Sequence, residues 1–420
     1  MDTQIRKHNW RKLADSHACR TKAKKHQHSP KLCDKSATLR SKILTGMHSP
    51  MSVRLLSLIN VFDVLNVSRG ETLKLDVKYQ DIPKGHFGLY HTLVDENGKE
   101  LHALVDTGTS FSFFIWKDWY EWASGHPCSI CPMGCYACSE PCLVGKVTRT
   151  LTFEDKYMVK IFQHKSKLTM GQVSEILTFG LIFDQKPPVS KAPPTNLMGL
   201  GYDGGDVNFP SLMTQLRSSK TVTSGIIALY LYPPADPNKA SADGGLLLGG
   251  GDPALYEGAL RYVDFSTDKH YMVNIDKLQV GDGHITLGIN MNLDLDTGAN
   301  FLYVPTLYFK SLIKEIGAQA DNAAGKHVPF YPVNEHRYFP CQYMSKLPPL
   351  RFYLGPQGTT PFTMTYTNYA LNQHGICELL IFQNLKNDWS FPDRMLIGNY
   401  FEFDPTLKRV GIGKLKPRSL

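Results

Sequence analysis

The sequence predicts a mostly β protein in two related halves, and three observations carry that prediction. The triplet Asp-Thr-Gly occurs twice in a chain of 420 residues, at Asp106-Thr107-Gly108 and, 190 residues later, at Asp296-Thr297-Gly298. Each copy is run into by apolar residues (Leu104 and Val105; Leu295) and followed by an apolar stretch, Phe113-Phe114-Ile115 or Phe301-Leu302-Tyr303-Val304. Around them, 34 Gly and 26 Pro punctuate short runs of Val, Ile, Tyr, Phe and Thr, the pattern of short strands and turns. At 42% hydrophobic and 20% charged residues the chain is globular, and its length suits two domains.

A single Asp-Thr-Gly is an ordinary surface turn, expected in roughly a tenth of chains this long. A pair has a chemical use. Two carboxylates held a few ångströms apart cannot both ionise cheaply, so they share one proton, and one acts as base while the other acts as acid. A water between them can then be deprotonated by the anionic member and attack a peptide carbonyl whose oxygen takes the proton of the other. Gly108 and Gly298 permit a tight turn beneath the carboxylates, and Thr107 and Thr297 are small hydrogen-bonding residues able to tie the two loops together.

With those motifs the sequence resembles the pepsin-like aspartic proteases over roughly residues 86 to 415. Each lobe of that family closes with an apolar-apolar-Gly segment beneath its catalytic loop. The stretches Leu197-Met198-Gly199-Leu200-Gly201 and Met395-Leu396-Ile397-Gly398-Asn399 look like those segments. The run from Gly244 to Gly250, followed by Tyr256-Glu257-Gly258, resembles the crossing between lobes, and Phe403-Asp404 to Val410-Gly411-Ile412-Gly413 the last hairpin. The resemblance implies an all-β, bilobal acid protease fold, two related six-stranded-type β lobes with a cleft between them. It also implies an aspartic endopeptidase with catalytic Asp106 and Asp296, supported by Thr107, Gly108, Thr109, Thr297 and Gly298. Further implications are a peptide or protein substrate bound extended, with apolar residues flanking the scissile bond, no cofactor and no metal, a monomer, and the secretory pathway.

Taken in order, residues 1–50 hold 12 Lys and Arg against three Asp, whereas the remainder carries 34 against 35. The net charge of +8 therefore sits in the tail, which reads as a solvated extension, and the body has no nucleic-acid footprint. From Met51, Ser52-Val53-Arg54 and the apolar Leu55 to Phe62 form a candidate signal segment ending near Gly70; the other reading is a tail followed by a buried strand. No apolar run reaches about 18 residues, so no stable membrane span is expected. Residues 70–85 are either a short pro-segment or the first strand. The domain expectation is thus 1–68 as extension with signal segment 51–68, 69–250 as N-terminal lobe and 251–420 as C-terminal lobe.

Cys128, Cys131, Cys135, Cys138 and Cys142 cluster just after the first motif. Such an insert resembles the nepenthesin-like branch and the plasmepsins that carry one. Disulfides in an oxidising compartment and a four-thiolate zinc site in a reducing one both remain open, and an odd count leaves at least one thiol over. By resemblance Cys341 and Cys377 form the C-lobe disulfide. The family also carries a flap Tyr bonded to a Trp seven residues after the first catalytic Asp. Phe113 stands at that Trp position, the flap candidate is Tyr157, and counting back from Gly171 puts His164 near the tip, beside Lys165 and Lys167. The stretch Thr306 to Ile316, with Leu307, Phe309, Leu312, Ile313 and Ile316, is the best helix.

Two departures bear on activity. Thr109 offers a hydroxyl to Asp106, but its counterpart is Ala299, where most of the family has Ser or Thr. A lost hydrogen bond raises the carboxylate pKa and predicts an optimum less acidic than pepsin's. Asp294 replaces the usual aliphatic residue and by strand alternation faces the same side as Asp296, unless local twist carries it to solvent. The reading from another class is a catalytically silent relative that binds extended peptides; a third, more remote, is a cytosolic zinc-stabilised protein with a nucleic-acid-binding tail.

Overall fold

A computed structural model describes residues 72–82, 87–236, 239–373, 375–386 and 388–418, and these form one compact unit. The expectations for the basic tail and the segment after Met51 lie outside the described residues.

The chain is mostly strand, as alternation of side chains dictates. In Leu73–Asp81, Leu75, Val77 and Tyr79 are buried while Lys74, Asp76 and Lys78 are exposed, so this stretch is the first strand of the body. A thirteen-stranded sheet runs in the order Tyr256–Asp264, Arg409–Leu415, Asn399–Asp404, Ile227–Leu231, Ala242–Leu248, Leu73–Asp81, Phe87–Val94, Glu100–Asp106, Asn196–Gly199, Phe113–Ile115, Val173–Lys186, Met158–Met170 and Thr148–Thr152. An eight-stranded sheet runs Thr360–Met364, Leu350–Leu354, Met272–Val280, Met291–Leu295, Trp389–Phe391, Leu302–Pro305 and Ile381–Asn384, with Ile285–Thr286 on Met272–Val280. The last hairpin, expected from sequence, therefore belongs to the first sheet although its residues end the chain. The Gly-rich run supplies that sheet's Ala242–Leu248 strand, where a Cβ on Gly244 would lie 1.9 Å from the Tyr230 carbonyl oxygen.

Both Asp-Thr-Gly loops leave their sheet in the same way. Glu100–Asp106 runs parallel to Asn196–Gly199, which lies antiparallel to the outgoing Phe113–Ile115. In the second half Met291–Leu295 runs parallel to Trp389–Phe391, which lies antiparallel to the outgoing Leu302–Pro305. This corrects one sequence expectation: the segment beneath the second loop is Trp389–Phe391, not Met395 to Gly398. The latter begins inside a 3-10 turn, Asp393–Leu396, and ends against the Ile227–Leu231 strand, where the Gly398 N–H donates to the Leu231 carbonyl at 2.8 Å.

The helix expected over 306–316 runs over Thr306–Ala324 and buries Phe309, Leu312, Ile316 and Ala320, one face at helical spacing. Leu307, counted on that face from the sequence, is 77% exposed because it sits a quarter-turn or more from the buried stripe. The extra length, Gly317 to Ala324, is half Ala and lacks an apolar pattern to announce it, and it ends on Gly325 in the left-handed conformation (φ 65°).

Cys341 and Cys377 are disulfide-bonded and close a loop of 36 residues, a constraint contributing roughly 3–4 kcal/mol by restricting the unfolded chain. In the Cys-rich insert Cys128 pairs with Cys135 and Cys138 with Cys142, and Cys131 is the free, buried thiol. The disulfide reading of the insert is the one realised, and the leftover thiol is identified.

Candidate active site

The two Asp-Thr-Gly loops meet face to face. Thr107 Oγ1 donates to the Leu295 carbonyl at 2.7 Å and accepts from the Thr297 N–H at 2.9 Å. Thr297 Oγ1 donates to the Val105 carbonyl at 2.7 Å and accepts from the Thr107 N–H at 3.1 Å. Both threonines are buried, so these four reciprocal bonds are the partners that their polar atoms need.

Each carboxylate is then held by its own loop. Gly108 N–H donates to Asp106 Oδ1 at 2.7 Å, and Gly298 N–H to Asp296 Oδ1 at 2.8 Å. The glycines are required by the opposite loop as much as by the turn. A Cβ on Gly108 would lie 2.6 Å from Asp296 Oδ1, and one on Gly298 would lie 2.5 Å from Asp106 Cγ. Burial, and then the neighbouring Asp296 charge, push the Asp106 carboxyl well above the ordinary range. Burial also raises Asp296, opposed by the Gly298 N–H and a hydrogen bond with Asp106. The pair thus titrates as a unit that retains a proton to higher pH than a free carboxylate.

Thr109 does not act as the sequence suggested. Its Oγ1 accepts the Phe111 N–H at 3.3 Å, and among the described residues it makes no bond to Asp106. Asp294 is half-buried, and burial followed by the charges of Asp296 and Glu154 raises its carboxyl well above the ordinary range, so it belongs to the neighbourhood of the pair.

The carboxylates open into a cleft of about 420 Å³. Phe87, Tyr90, Leu104, Phe113 and Leu197 form an apolar flank, and Tyr303, Ser390 and the second loop form the other side. Over it hangs the turn joining Thr148–Thr152 to Met158–Met170, closed by the Phe153 N–H to the Tyr157 carbonyl at 2.8 Å. Phe153, Glu154, Asp155 and Tyr157 of this turn line the cleft. Tyr157 therefore does lie on the overhanging hairpin, but its hydroxyl donates to Gln185 Oε1 at 2.9 Å, away from Phe113. The ring that meets Phe113 is Phe153, at 6.2 Å between centroids, a residue the sequence reading passed over. The two rings form an apolar contact where a hydroxyl–indole bond was sought.

His164 is far along the same strand, packed against Tyr136 and Phe179, with Nε2 3.1 Å from the Tyr136 hydroxyl. The Gly171 turn lies at the far end of that strand, where it joins Val173–Lys186 beside Leu93 and Val94. Exposed Lys165 and Lys167 likewise do not line the cleft. A larger groove, about 1340 Å³ along Leu73–Asp81, contains no residue of either Asp-Thr-Gly loop.

Two further positions support the loops and carried no sequence signal. Asn196 is fully buried; its Oδ1 accepts the Ile115 N–H at 2.8 Å and its Nδ2 donates to the Met133 carbonyl at 2.7 Å. Met133 also accepts the His102 N–H at 2.9 Å, so the insert is stitched to the strand that carries Asp106. Behind the second loop, the fully buried Asp393 donates its N–H to the Ala299 carbonyl at 3.1 Å, and the backbone N–H groups of Arg394 and Leu89 lie beside its carboxylate. Burial raises this carboxyl well above the ordinary range against the opposing charge of Arg394. Arg394 itself is buried and donates to the carbonyls of Thr367 and Ala370.

The family model described as eukaryotic aspartyl protease matches residues 147–415. Among curated relatives, pepsin A of Gallus gallus is 23% identical over 230 residues, covering 52% of this chain and 55% of the relative. Cathepsin D of Homo sapiens is 29% identical over 234 residues (52% and 51%), and cathepsin D of Rattus norvegicus 32% over 167 residues (38% and 36%). The chain spans about half the length of the curated relatives it matches. The family match begins after the first Asp-Thr-Gly, which the fold sets against the second. The chain belongs to the eukaryotic aspartyl protease family.

Proposed function

We propose that the protein is an aspartic endopeptidase whose catalytic residues are Asp106 and Asp296, acting on a peptide extended across the cleft. The reciprocal clasp of the two loops carries this reading, because it fixes two carboxylates in one buried site where they must share a proton. The anionic member takes a proton from a water held between them. The protonated member donates to the carbonyl oxygen of the scissile peptide, and collapse of the tetrahedral intermediate expels the amine. The chemistry calls for neither metal nor cofactor.

Ala299 withholds a side-chain hydroxyl from Asp296, which supports an activity profile whose upper limb lies nearer neutrality than pepsin's. Ala299→Thr is predicted to move that limb acidward, and an unmoved limb would count against this cause. The disulfides support a secretory-pathway location, and no helix among the described residues is long and apolar enough to cross a membrane. We take the working molecule as a monomer with lobes divided near residue 250.

The test is cleavage of a diverse peptide pool by the protein from about pH 3 to 7.5, with Asp106→Asn as control. Cleavage absent from the control supports the reading. Folded protein that binds peptides and cuts none at any pH supports the silent alternative, for which the Phe113–Phe153 contact in place of a hydroxyl–indole bond is the motivating observation.

A further inference from the structure

The cleft is charged on one side. Its described lining carries four carboxylates, Asp106, Asp296, Glu154 and Asp155, and no Lys, Arg or His. Asp106 and Asp296 account for two; the others hang from the turn above. Asp294 adds a fifth just behind the lining, two residues before Asp296 and level with Ser390 on the neighbouring strand. The charges that raise its carboxyl, Asp296, Glu154 and Asp388, add to the effect of burial. Ser390 gives an independent sign of an absent ligand. It is 7% exposed, lines the cleft, and its hydroxyl has no hydrogen-bond partner. A buried, unpaired hydroxyl level with the half-buried Asp294 carboxyl is costly unless something arrives to satisfy both.

We propose that this corner is a subsite for a cationic side chain, so that preferred peptides carry Lys or Arg beside the scissile bond, its charge meeting Asp294, Ser390 Oγ and Glu154. The proposal rests on reading the cleft as a peptide site. An ammonium has three donors and a guanidinium five, enough to serve a hydroxyl and two carboxylates together. Glu154 already has one cation, Lys386 Nζ at 2.9 Å, but both side chains are mostly exposed and such pairs contribute little, so an incoming charge can share or displace it. Across the cleft the flank of Tyr90, Leu104, Phe113 and Leu197 suits an apolar residue, so the inferred motif is one cationic and one apolar residue around the cut.

The experiment compares peptides identical except for Lys, norleucine or Glu at each residue flanking a known cut, assayed for kcat/KM across the protein's active pH range, because burial raises the Asp294 carboxyl above the ordinary range and the preference for Lys is expected to grow as it ionises. Lys is expected to exceed its uncharged isostere norleucine by roughly 5- to 30-fold at one flank, with Glu poorest. Asp294→Asn and Glu154→Gln are each expected to shrink that ratio; Glu154 lies on an exposed turn, so its variant tests the proposal even where Asp294→Asn fails to fold. Norleucine equal to or better than Lys in the unaltered protein, or a ratio unchanged in Glu154→Gln, overturns the subsite. Should nothing be cut, the endopeptidase reading fails instead, and equilibrium binding of the same labelled peptides decides the subsite: tighter Lys binding supports it, equal binding overturns it.

Discussion

Gly108 is constrained by a residue 188 positions away, since the space a Cβ needs is occupied by the Asp296 carboxylate. Gly108→Ala is therefore predicted to push the loops apart, with cleavage lost by at least about 100-fold, the scale of a misplacement near 1 Å, in an otherwise folded protein. Steady-state kinetics with a near-normal circular dichroism spectrum would show it; near-normal kcat/KM would contradict it. The paired carboxylates also bear on stability. In the folded chain burial holds Asp106 protonated above the pH at which the unfolded chain, near 3.9, has released its proton. The folded state then binds more protons, so stability falls as pH rises through that window. Asp106→Asn removes this term and is predicted to raise Tm by a few degrees near pH 7 while having little effect near pH 3. A Tm lowered at neutral pH would contradict the assignment.

At the scale of elements, the strand leaving the first loop is tied to the insert through Asn196. Asn196→Ala leaves the Ile115 N–H and a Met133 carbonyl lone pair buried without that partner, and is predicted to cost about 3 kcal/mol in denaturant unfolding. A loss below 1 kcal/mol would mean that water takes over the role. The sequence reading reached the two loops because their function demands a short, rigid motif that repeats. It missed Asn196, which lies between ordinary strand residues and acts only through contacts distant in sequence. It also chose Met395 to Gly398 over Trp389–Phe391, because Ser390, Pro392 and Asp393 break the apolar-Gly pattern while an unrelated copy follows a few residues later. The flap was legible only in part, for a similar reason: Tyr157 falls on the overhanging turn, but its hydroxyl bonds Gln185. Phe153 carries no Tyr signal, and Gly171 turns the next hairpin, whose strands are 13 and 14 residues long. Register within long strands is set by packing on both faces, which no local pattern reveals.

Across the whole molecule, the first sheet takes strands from both ends of the chain: Leu73–Asp81 lies two strands from Ile227–Leu231, which pairs in turn with Asn399–Asp404. The two loops thus sit on a framework closed by long-range pairing, and the mostly β class with a duplicated motif was legible because composition and repetition report it directly. The shared topology was carried by resemblance. The central claim is that Asp106 and Asp296 work as one proton-sharing unit. It is tested most directly by the pH dependence of kcat/KM on a single cleaved peptide, for the unaltered chain and for Asp106→Asn and Asp296→Asn. The account predicts a bell-shaped profile whose limbs belong to the pair, and a loss of at least about 1,000-fold in each variant at every pH. Cleavage surviving in either variant, or a profile that rises on one limb only, would contradict it.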